Sequence, residues 1–175
     1  MGSLPLAVAV AVQQAISKVV PDGAGTVQIK WPNDILINGA KVCGMLLEAE
    51  QVSSDRRIVV IGCGVNIAHH PDEALYKSVS INQLGASVSP QDVFAYLFEI
   101  IPKILKLWDQ GRGISAICEL WVENAAGIGN DIKVNLPNKT IYGRFIGLAK
   151  DGNLILQQED GKDLKIAAGD VFLQQ

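Results

Sequence analysis

The dipeptide Asn38-Gly39 separates two short apolar segments, and it restricts the fold of this chain more than any other feature. Asn and Gly both tolerate the positive φ angles that a two-residue hairpin turn requires. The segment before the turn covers residues 35–37, and the segment after it covers residues 40–47. The sequence therefore predicts two antiparallel strands joined by a tight turn.

A further strand is predicted just before this hairpin, at residues 26–31. Pro32 removes a backbone donor and biases Trp31 towards extended geometry, so this strand should end or bend there. Simple alternation along the returning strand places Lys41 on one face and Gly44 on the other. A β-bulge at Gly44 would reset that alternation.

A glycine-containing motif follows residues 58–61, a β-branched run that is typical of a strand covered on both sides. The motif reads G-C-G-V-N and ends at Asn66. A dinucleotide-binding loop is not favoured, because Ile67 stands where a third glycine should fall and no long helix follows. Glycines can instead let a flat ligand lie against the backbone, and Asn66 offers an amide to an adenine edge. An Asn66 that only stabilises the loop is the alternative.

The composition indicates a globular chain. The 175 residues are 49% hydrophobic, enough for one core or for one core with a small appended module. The net charge of −3 gives no basic footprint for nucleic acid. No apolar run reaches the ~18 residues of a membrane span, and residues 6–12 lack the basic flank and cleavage site of a secretion signal. We therefore expect a cytoplasmic protein without a membrane contact.

The cysteines and histidines predict no metal site. Cys43, Cys63 and Cys118 have no C-x-x-C spacing, so neither a disulfide framework nor a zinc site is indicated. We expect the first two to be small buried hydrophobes. The adjacent His69 and His70 are expected in a loop without a metal ion.

Helical periodicity occurs at the start of the chain and again in residues 90–123. Ser3 and Pro5 can begin a helix that is apolar on nearly all sides. Residues 90–107 carry an apolar stripe with Pro102 inside, where we expect a kink. Residues 114–123 form a third helix, and we expect the last two helices to pack on one side of the sheet.

From residue 126 the pattern changes to short alternating strands separated by Gly, Asp, Asn and Pro turns. Their close spacing favours a small antiparallel β-barrel. We therefore predict an α+β fold with two units, residues 1–125 and residues 126–175. Strands are predicted at residues 131–134, 140–148, 153–157, 164–166 and 171–173.

Three blocks of this sequence resemble the signature of biotin protein ligases. They are K-W-P-N-D at residues 30–34, G-A-K-V-C-G-M-L-L-E at residues 39–48 and I-G-C-G-V-N-I at residues 61–67. The resemblance implies a class II synthetase-like catalytic domain, with a mixed or antiparallel sheet and helices on one side, followed by an SH3-like barrel. It also implies an enzyme that activates biotin with ATP to biotinyl-AMP. The biotinyl group then passes to a lysine of a biotin-acceptor domain of a carboxylase.

The resemblance also implies roles for individual residues. Lys41 is expected to stabilise negative charge beside the acyl carbon, the alternative being a surface lysine. Asp34 is expected either to orient Lys41 or to take up the proton of the acceptor lysine, the alternative being a turn residue that binds local N–H groups. Trp31 is either a ligand contact or part of the core. The residues expected to bind biotin or the adenylate are Lys30, Trp31, Asn33, Lys41, Gly44, Leu46, Gly62, Gly64 and Asn66.

One part of the family pattern is missing. The phosphate loop of the form G-R-G-R-x-G-R and the strands that hold the ureido ring of biotin precede the helix with which this chain begins. The G-R-G at residues 111–113 lies between two predicted helices and lacks the following basic residue, so we do not identify it as that loop. Two classes of function stay open: an ATP-dependent ligase, and a non-catalytic fragment that acts as a binding or scaffold module.

The implied small molecules are biotin and ATP, with Mg²⁺ carried by the ATP and no metal ligand from the protein. The implied partner is the carboxylase acceptor domain. A homodimer is compatible with the resemblance, and no nucleic-acid partner is expected from this chain.

Overall fold

The computed structural model describes residues 2–71 and 77–173. Within these residues the chain forms three α-helices and nine strands, and the strands make two antiparallel sheets. Met1, with which the first predicted unit begins, and Gln175, with which the second one ends, lie outside the described residues.

The first sheet is a four-stranded antiparallel meander in the order β1-β2-β3-β4. Asn38 and Gly39 have φ angles of 50° and 78°, so the predicted hairpin turn between β2 and β3 is confirmed. Strand β1 ends at Lys30, before Pro32, as the sequence predicts. The strands are Val27–Lys30 (β1), Asp34–Ile37 (β2), Ala40–Gln51 (β3) and Arg57–Val65 (β4).

The β-bulge in this hairpin is at Val42, and the prediction of a bulge at Gly44 is wrong. Two consecutive residues of β3, Lys41 and Val42, lie opposite Leu36 of β2. Val42 and the following Cys43 are consequently both buried. The extra residue brings Lys41 onto the same face as Gly44, whereas simple alternation would separate them.

Helix α1 (Leu4–Ser17) lies between the first sheet and the helices α2 (Pro90–Trp108) and α3 (Ile114–Glu123). It is buried on nearly all sides because ten of its fourteen residues are Leu, Ala, Val or Ile. This position corrects the expectation that α2 and α3 cover the sheet directly, since they pack mainly on α1. In the described part of the chain, no helix has the length and apolar character that a bilayer crossing needs.

The second sheet has five strands in the order β8-β7-β6-β5-β9. Only residues 167–169 connect β8 to β9, although these strands lie at opposite edges of the sheet. The sheet must therefore curl until its edges approach within about 14 Å. No pairing joins the two edges among the described residues, so the predicted closure into a barrel is not confirmed. The strands are Asp131–Leu136 (β5), Lys139–Leu148 (β6), Leu154–Gln157 (β7), Asp163–Ile166 (β8) and Asp170–Leu173 (β9).

The two sheets are held together by core packing and by a short backbone pairing. The rings of Trp121 in α3 and Phe145 in β6 meet edge to face, with centroids 6.3 Å apart. Ile29 N donates to Asn124 O at 2.7 Å, and Ala126 N donates to Ile29 O at 2.8 Å. The chain that leads into the second sheet is thus fixed against the edge strand β1.

Candidate functional site

Three charged side chains meet on the open face of the first sheet, where β1, β2 and β3 lie side by side. Lys30 and Asp34 are register partners, and Lys30 Nζ lies 3.5 Å from Asp34 Oδ2. Lys41 Nζ lies 2.6 Å from the other carboxylate oxygen, Oδ1. Asp34 therefore lies between two ammonium groups, and this charged cluster carries an excess positive charge.

The charged cluster is only partly open to solvent. The side chains of Lys30 and Asp34 are 10% and 12% exposed, and that of Lys41 is 32% exposed. Charges in such a position interact more strongly than they do in bulk water, because the effective dielectric constant is lower. Lys41 is the member of the cluster that a ligand can reach most easily.

A cavity of about 570 Å³, here called the main cavity, opens beside the charged cluster and extends towards β4. Its volume lies in the range of roughly 300–1,000 Å³ that is usual for small-molecule sites. Eight of the ten predicted site residues line it. These eight are Lys30, Asn33, Asp34, Lys41, Gly44, Leu46, Gly62 and Gly64.

Glycine backbone forms part of the wall of the main cavity. Gly44 and Gly64 are register partners, and Gly62 pairs with Leu46. A Cβ at Gly62 or Gly64 would lie 3.6 or 3.7 Å from the nearest backbone oxygen, which is an ordinary contact. The protein's own packing therefore does not require glycine at these two positions. Their missing side chains leave the backbone accessible to a flat ligand.

The turn between β1 and β2 is tied to β3 by Asn33. Asn33 Nδ2 donates to Met45 O at 2.6 Å, and Met45 N donates to Asn33 O at 3.0 Å. The Trp31–Pro32 peptide bond within this turn is cis. The turn sets the position of Asp34, which is the next residue along the chain.

Trp31 and Asn66 lie outside the main cavity. Trp31 is 3% exposed and belongs to the hydrophobic core, which fits the packing alternative. Asn66 lines an adjoining cavity of about 180 Å³ together with Lys41. Asn66 Nδ2 donates to Lys41 O at 3.3 Å and to Val79 O at 3.2 Å. Its amide nitrogen therefore serves the fold.

The second sheet contributes two residues that the sequence did not predict. Asp170 and Val171, at the start of β9, line the main cavity together with residues of the first sheet. No motif surrounds them, and their placement follows from the pairing of residues 124–126 with Ile29 of β1, which leads the chain into the second sheet. The remaining lining residues, Pro32, Met45 and Cys63, are neighbours of the predicted set.

The G-R-G segment is not part of this site. It lies between α2 and α3, where Arg112 Nε donates to Asp109 Oδ2 at 2.7 Å. It is also not among the residues described as lining the main cavity. That it is not a phosphate loop stays a prediction.

The thiols of Cys43 and Cys63 are poor nucleophiles near neutral pH. Burial raises the pKa of Cys43 to about 12, and the nearby Cys63 and Asp34 add to the effect. Burial also raises the pKa of Cys63. Both thiols therefore stay protonated, and the thiolate is the reactive form. In the described parts of the chain, no three His, Cys, Asp or Glu side chains are grouped to hold a metal ion.

Two family models match the chain. The biotin/lipoate A/B protein ligase family matches residues 3–66, and the biotin protein ligase C terminal domain matches residues 127–174. The bifunctional ligase/repressor BirA of Bacillus subtilis (strain 168) is 34% identical over 175 residues, which cover 97% of this chain and 52% of that protein. The biotin–[acetyl-CoA-carboxylase] ligase of Paracoccus denitrificans is 32% identical over 155 residues, which cover 85% of this chain and 64% of that protein. The chain thus spans about half of the BirA length.

Solved structures agree on the fold. The apo biotin protein ligase of Aquifex aeolicus has a TM-score of 0.82 and 22% identity, over 99% of this chain and 76% of that one. A complex of an Aquifex aeolicus biotin protein ligase with biotin and ATP has a TM-score of 0.79 and 23% identity, over 100% of this chain and 72% of that one. The predicted α+β class, with helices and antiparallel sheets, is confirmed. The fold and the two matched models place the chain in the biotin and lipoate protein ligase class. Within that class, the chain belongs to the biotin protein ligase family.

Proposed function

We propose that the protein carrying this chain activates biotin with ATP to biotinyl-AMP and transfers the biotinyl group to a lysine of a carboxylase acceptor domain. The observation that supports this most is the charged cluster of Lys30, Asp34 and Lys41 beside a cavity of about 570 Å³. The family relationship supplies the reaction, and the cluster supplies a fixed positive charge where that reaction develops negative charge.

In the first step, an oxygen of the biotin carboxylate attacks the α-phosphorus of ATP, and pyrophosphate leaves. The Lys41 ammonium stabilises the charge that grows on the reacting oxygens, and this effect is strong in a site with little water. Asp34 Oδ1, 2.6 Å away, holds that ammonium in place before the reaction. Mg²⁺ would be carried by the ATP, without a ligand from the protein.

In the second step, the neutral amine of the acceptor lysine forms a bond to the acyl carbon while the bond from that carbon to the phosphate oxygen breaks. AMP leaves with the electron pair of that bond, and the proton that the amine loses passes to water. We assign Asp34 the role of orienting Lys41, rather than that of a base, because both of its oxygens contact ammonium groups. Gly62 and Gly64 would lie under the ligand, and Asn66 Oδ1 would accept from the adenine amino group. Lys30 would add to the positive potential at the nucleotide.

We also propose two units, residues 1–125 and residues 126–175, the second of which is an SH3-like module. Its curled sheet and its short connection from β8 to β9 support this proposal. Through Asp170 and Val171 the module would help to enclose the bound adenylate. A cytoplasmic location and a homodimer stay predictions.

Biotin-dependent exchange of ATP with labelled pyrophosphate tests the proposal, because it reports the first step without an acceptor protein. We expect exchange from the longest natural protein that contains this chain. A binding or scaffold module is the second candidate, since this chain spans 52% of the BirA relative. Biotin binding without any exchange would favour that module and would contradict the ligase.

A further inference from the structure

Gln13 is a buried polar residue in the otherwise apolar interior of helix α1, and its side chain is bonded to two other elements. Gln13 Nε2 lies 3.0 Å from Val27 O of β1 and 3.0 Å from Asn124 Oδ1 at the end of α3. Ser17 Oγ, within α1 itself, lies slightly further away at 3.2 Å. An amide nitrogen carries two hydrogens, so it can donate to both of the closer acceptors. The side chain therefore joins α1 to β1 and to the end of α3.

Asn124 is held by three hydrogen bonds. Its Nδ2 donates to Leu120 O at 2.8 Å, its Oδ1 accepts from Gln13, and its backbone O accepts from Ile29 N at 2.7 Å. The bond to Leu120 determines that the oxygen end of the amide faces Gln13. A hydrogen-bonded network of this kind specifies one arrangement of the elements that it joins.

The same network bonds to the outer edge of β1, which is the first strand of the four-stranded sheet. In a strand, alternate residues direct their backbone groups to the same side, so Val27 and Ile29 both direct theirs away from β2. Val27 O accepts from Gln13, while the N and O of Ile29 pair with Asn124 and Ala126. We call this contact the β1 joint. It holds β1 at the place where the chain enters the second sheet.

The β1 joint lies next to the candidate site. Lys30 is the next residue of β1, and its ammonium group lies 3.5 Å from Asp34 Oδ2 in the charged cluster. On the other side of the joint, the chain leads into the second sheet, which contributes Asp170 to the main cavity. Gln13 and Asn124 are not among the described residues that line this cavity. Their hydrogen bond therefore acts on the site only through the elements that it holds.

We propose that Gln13 and Asn124 are positioning residues for the ligase reaction, and that their hydrogen bond fixes β1 so that the Lys30 ammonium group stays in the charged cluster. This inference rests on the proposed function. The reaction needs its positive charges at defined places, and a displacement of about 1 Å can lower an enzymatic rate by as much as roughly 100-fold. The Lys30 side chain is only 10% exposed, so its place is determined by the strand that carries it.

The test measures biotin-dependent ATP–pyrophosphate exchange by the longest natural protein that contains this chain and by its Gln13→Met variant. Methionine has a similar length but cannot donate a hydrogen bond, and we expect the exchange rate to fall about tenfold. In a Lys30→Ala background, the same substitution should lower the rate by less than about twofold, because the residue through which it acts is already absent. A substitution that only weakened the fold would lower the rate equally in both backgrounds. Equal losses would therefore overturn the inference.

Gln14→Met is the matched control, because it makes the same change one residue further along α1. The Gln14 side chain is half-buried and has no hydrogen-bond partner among the described residues, so exchange should proceed as in wild type. Asn124→Ala removes the same bond at a half-buried position and keeps the backbone bond to Ile29. It should reproduce the loss of rate, and it carries the test if Gln13→Met does not fold. A wild-type rate in either folded variant would overturn the inference and leave the ligase function standing.

If the wild-type protein exchanges no pyrophosphate, the ligase function fails, and amide hydrogen exchange still tests the β1 joint. The amide of Ile29, which is bonded to Asn124 O, should exchange about tenfold faster in Gln13→Met than in wild type, as for a local opening. The amide of the buried Leu156 in β7 should not change. Unchanged exchange at Ile29 would overturn the inference. Equal acceleration at both amides would show a general loss of stability and would overturn it as well.

Discussion

Lys41 and Asp34 approach within 2.6 Å of each other across the β2–β3 hairpin, although they are not register partners. Asp34 pairs with Gly44, and the bulge at Val42 turns Lys41 onto the face of Gly44. A Cβ at Gly44 would lie only 3.2 Å from Lys41 Nζ, so a glycine there leaves room for the ammonium group. The central ion pair of the site thus depends on a one-residue irregularity in a strand.

Lys41→Ala should lower the rate of biotin-dependent ATP–pyrophosphate exchange about 100- to 1000-fold. The reason is that removal of one preorganised electrostatic donor has an effect of this size on the transition state. The lost contact with Asp34 should lower the free energy of unfolding by at most about 2 kcal/mol, which leaves the protein folded and does not explain a fall in rate of this size. Exchange rates and melting temperatures of the same samples compare the two effects.

Lys41→Arg is the matched variant for this measurement. It keeps the positive charge but replaces the compact ammonium by a planar guanidinium, so we expect only partial recovery of exchange. Wild-type exchange by Lys41→Ala would show that Lys41 is a surface lysine, and the proposed site would then be wrong.

Asp34→Asn should destabilise the protein by about 2 kcal/mol, the order of a lost hydrogen bond to a charged group. The substitution removes the carboxylate that separates Lys30 from Lys41, and the two ammonium groups then repel each other. The double variant Lys30→Met/Asp34→Asn should lose less than the sum of the single losses. A coupling of roughly 0.5–3 kcal/mol is usual for residues in contact. Urea unfolding of wild type, Lys30→Met, Asp34→Asn and the double variant measures this coupling. Additive losses would contradict a cluster that acts as a unit.

Local sequence signals predicted the elements that local chemistry determines. The Asn38-Gly39 turn is one example, because its residue types select the turn geometry. Helix Ile114–Glu123 begins and ends where its apolar periodicity does. The three blocks at residues 30–34, 39–48 and 61–67 contain eleven of the thirteen described residues that line the main cavity, because neighbouring strands of one meander carry these blocks.

Features that depend on packing across the chain could not be predicted in the same way. The bulge at Val42 arises from the pairing of two strands, and no residue type marks its position. Asp170 reaches the main cavity only through the position of the second sheet, which no local sequence signal determines. Asn66 was identified as an important residue, but the use of its amide nitrogen within the fold required the structure.

Gly62→Ala should weaken ligand binding without harming the fold. The new methyl group would lie 3.6 Å from Leu46 O, so the free energy of unfolding should change by less than about 1 kcal/mol. In the main cavity the methyl group would overlap with a ligand, and overpacking of about 1–3 kcal/mol corresponds to a loss of affinity of roughly 5- to 150-fold. Calorimetric binding of biotin and of ATP tests this expectation. Val60→Ala, on the same exposed face of β4 but outside the main cavity, should bind both ligands as wild type does.

The stability of the protein should fall above about pH 9 because of Cys43. Cys43 is 1% exposed, and burial raises the pKa of its thiol from 9.0 to about 12 in the folded state. Below pH 9 the thiol is neutral in the folded and in the unfolded chain, so it does not change the free energy of unfolding with pH. Between pH 9 and pH 12 the unfolded chain loses the proton while the folded chain keeps it. The free energy of unfolding therefore decreases by up to about 1.4 kcal/mol per pH unit in this window.

Urea unfolding at pH 8 and pH 10 measures this effect in wild type and in Cys43→Ala. The variant loses the titrating thiol, and its smaller side chain lowers the stability by the same amount at both pH values. Lysine and tyrosine side chains titrate alike in the two proteins, so their contribution cancels in the comparison. Wild type should lose about 1.4 kcal/mol more than Cys43→Ala between the two pH values. Parallel losses would mean that the Cys43 thiol ionises as readily in the folded protein as in the unfolded chain, which contradicts its burial beneath the charged cluster.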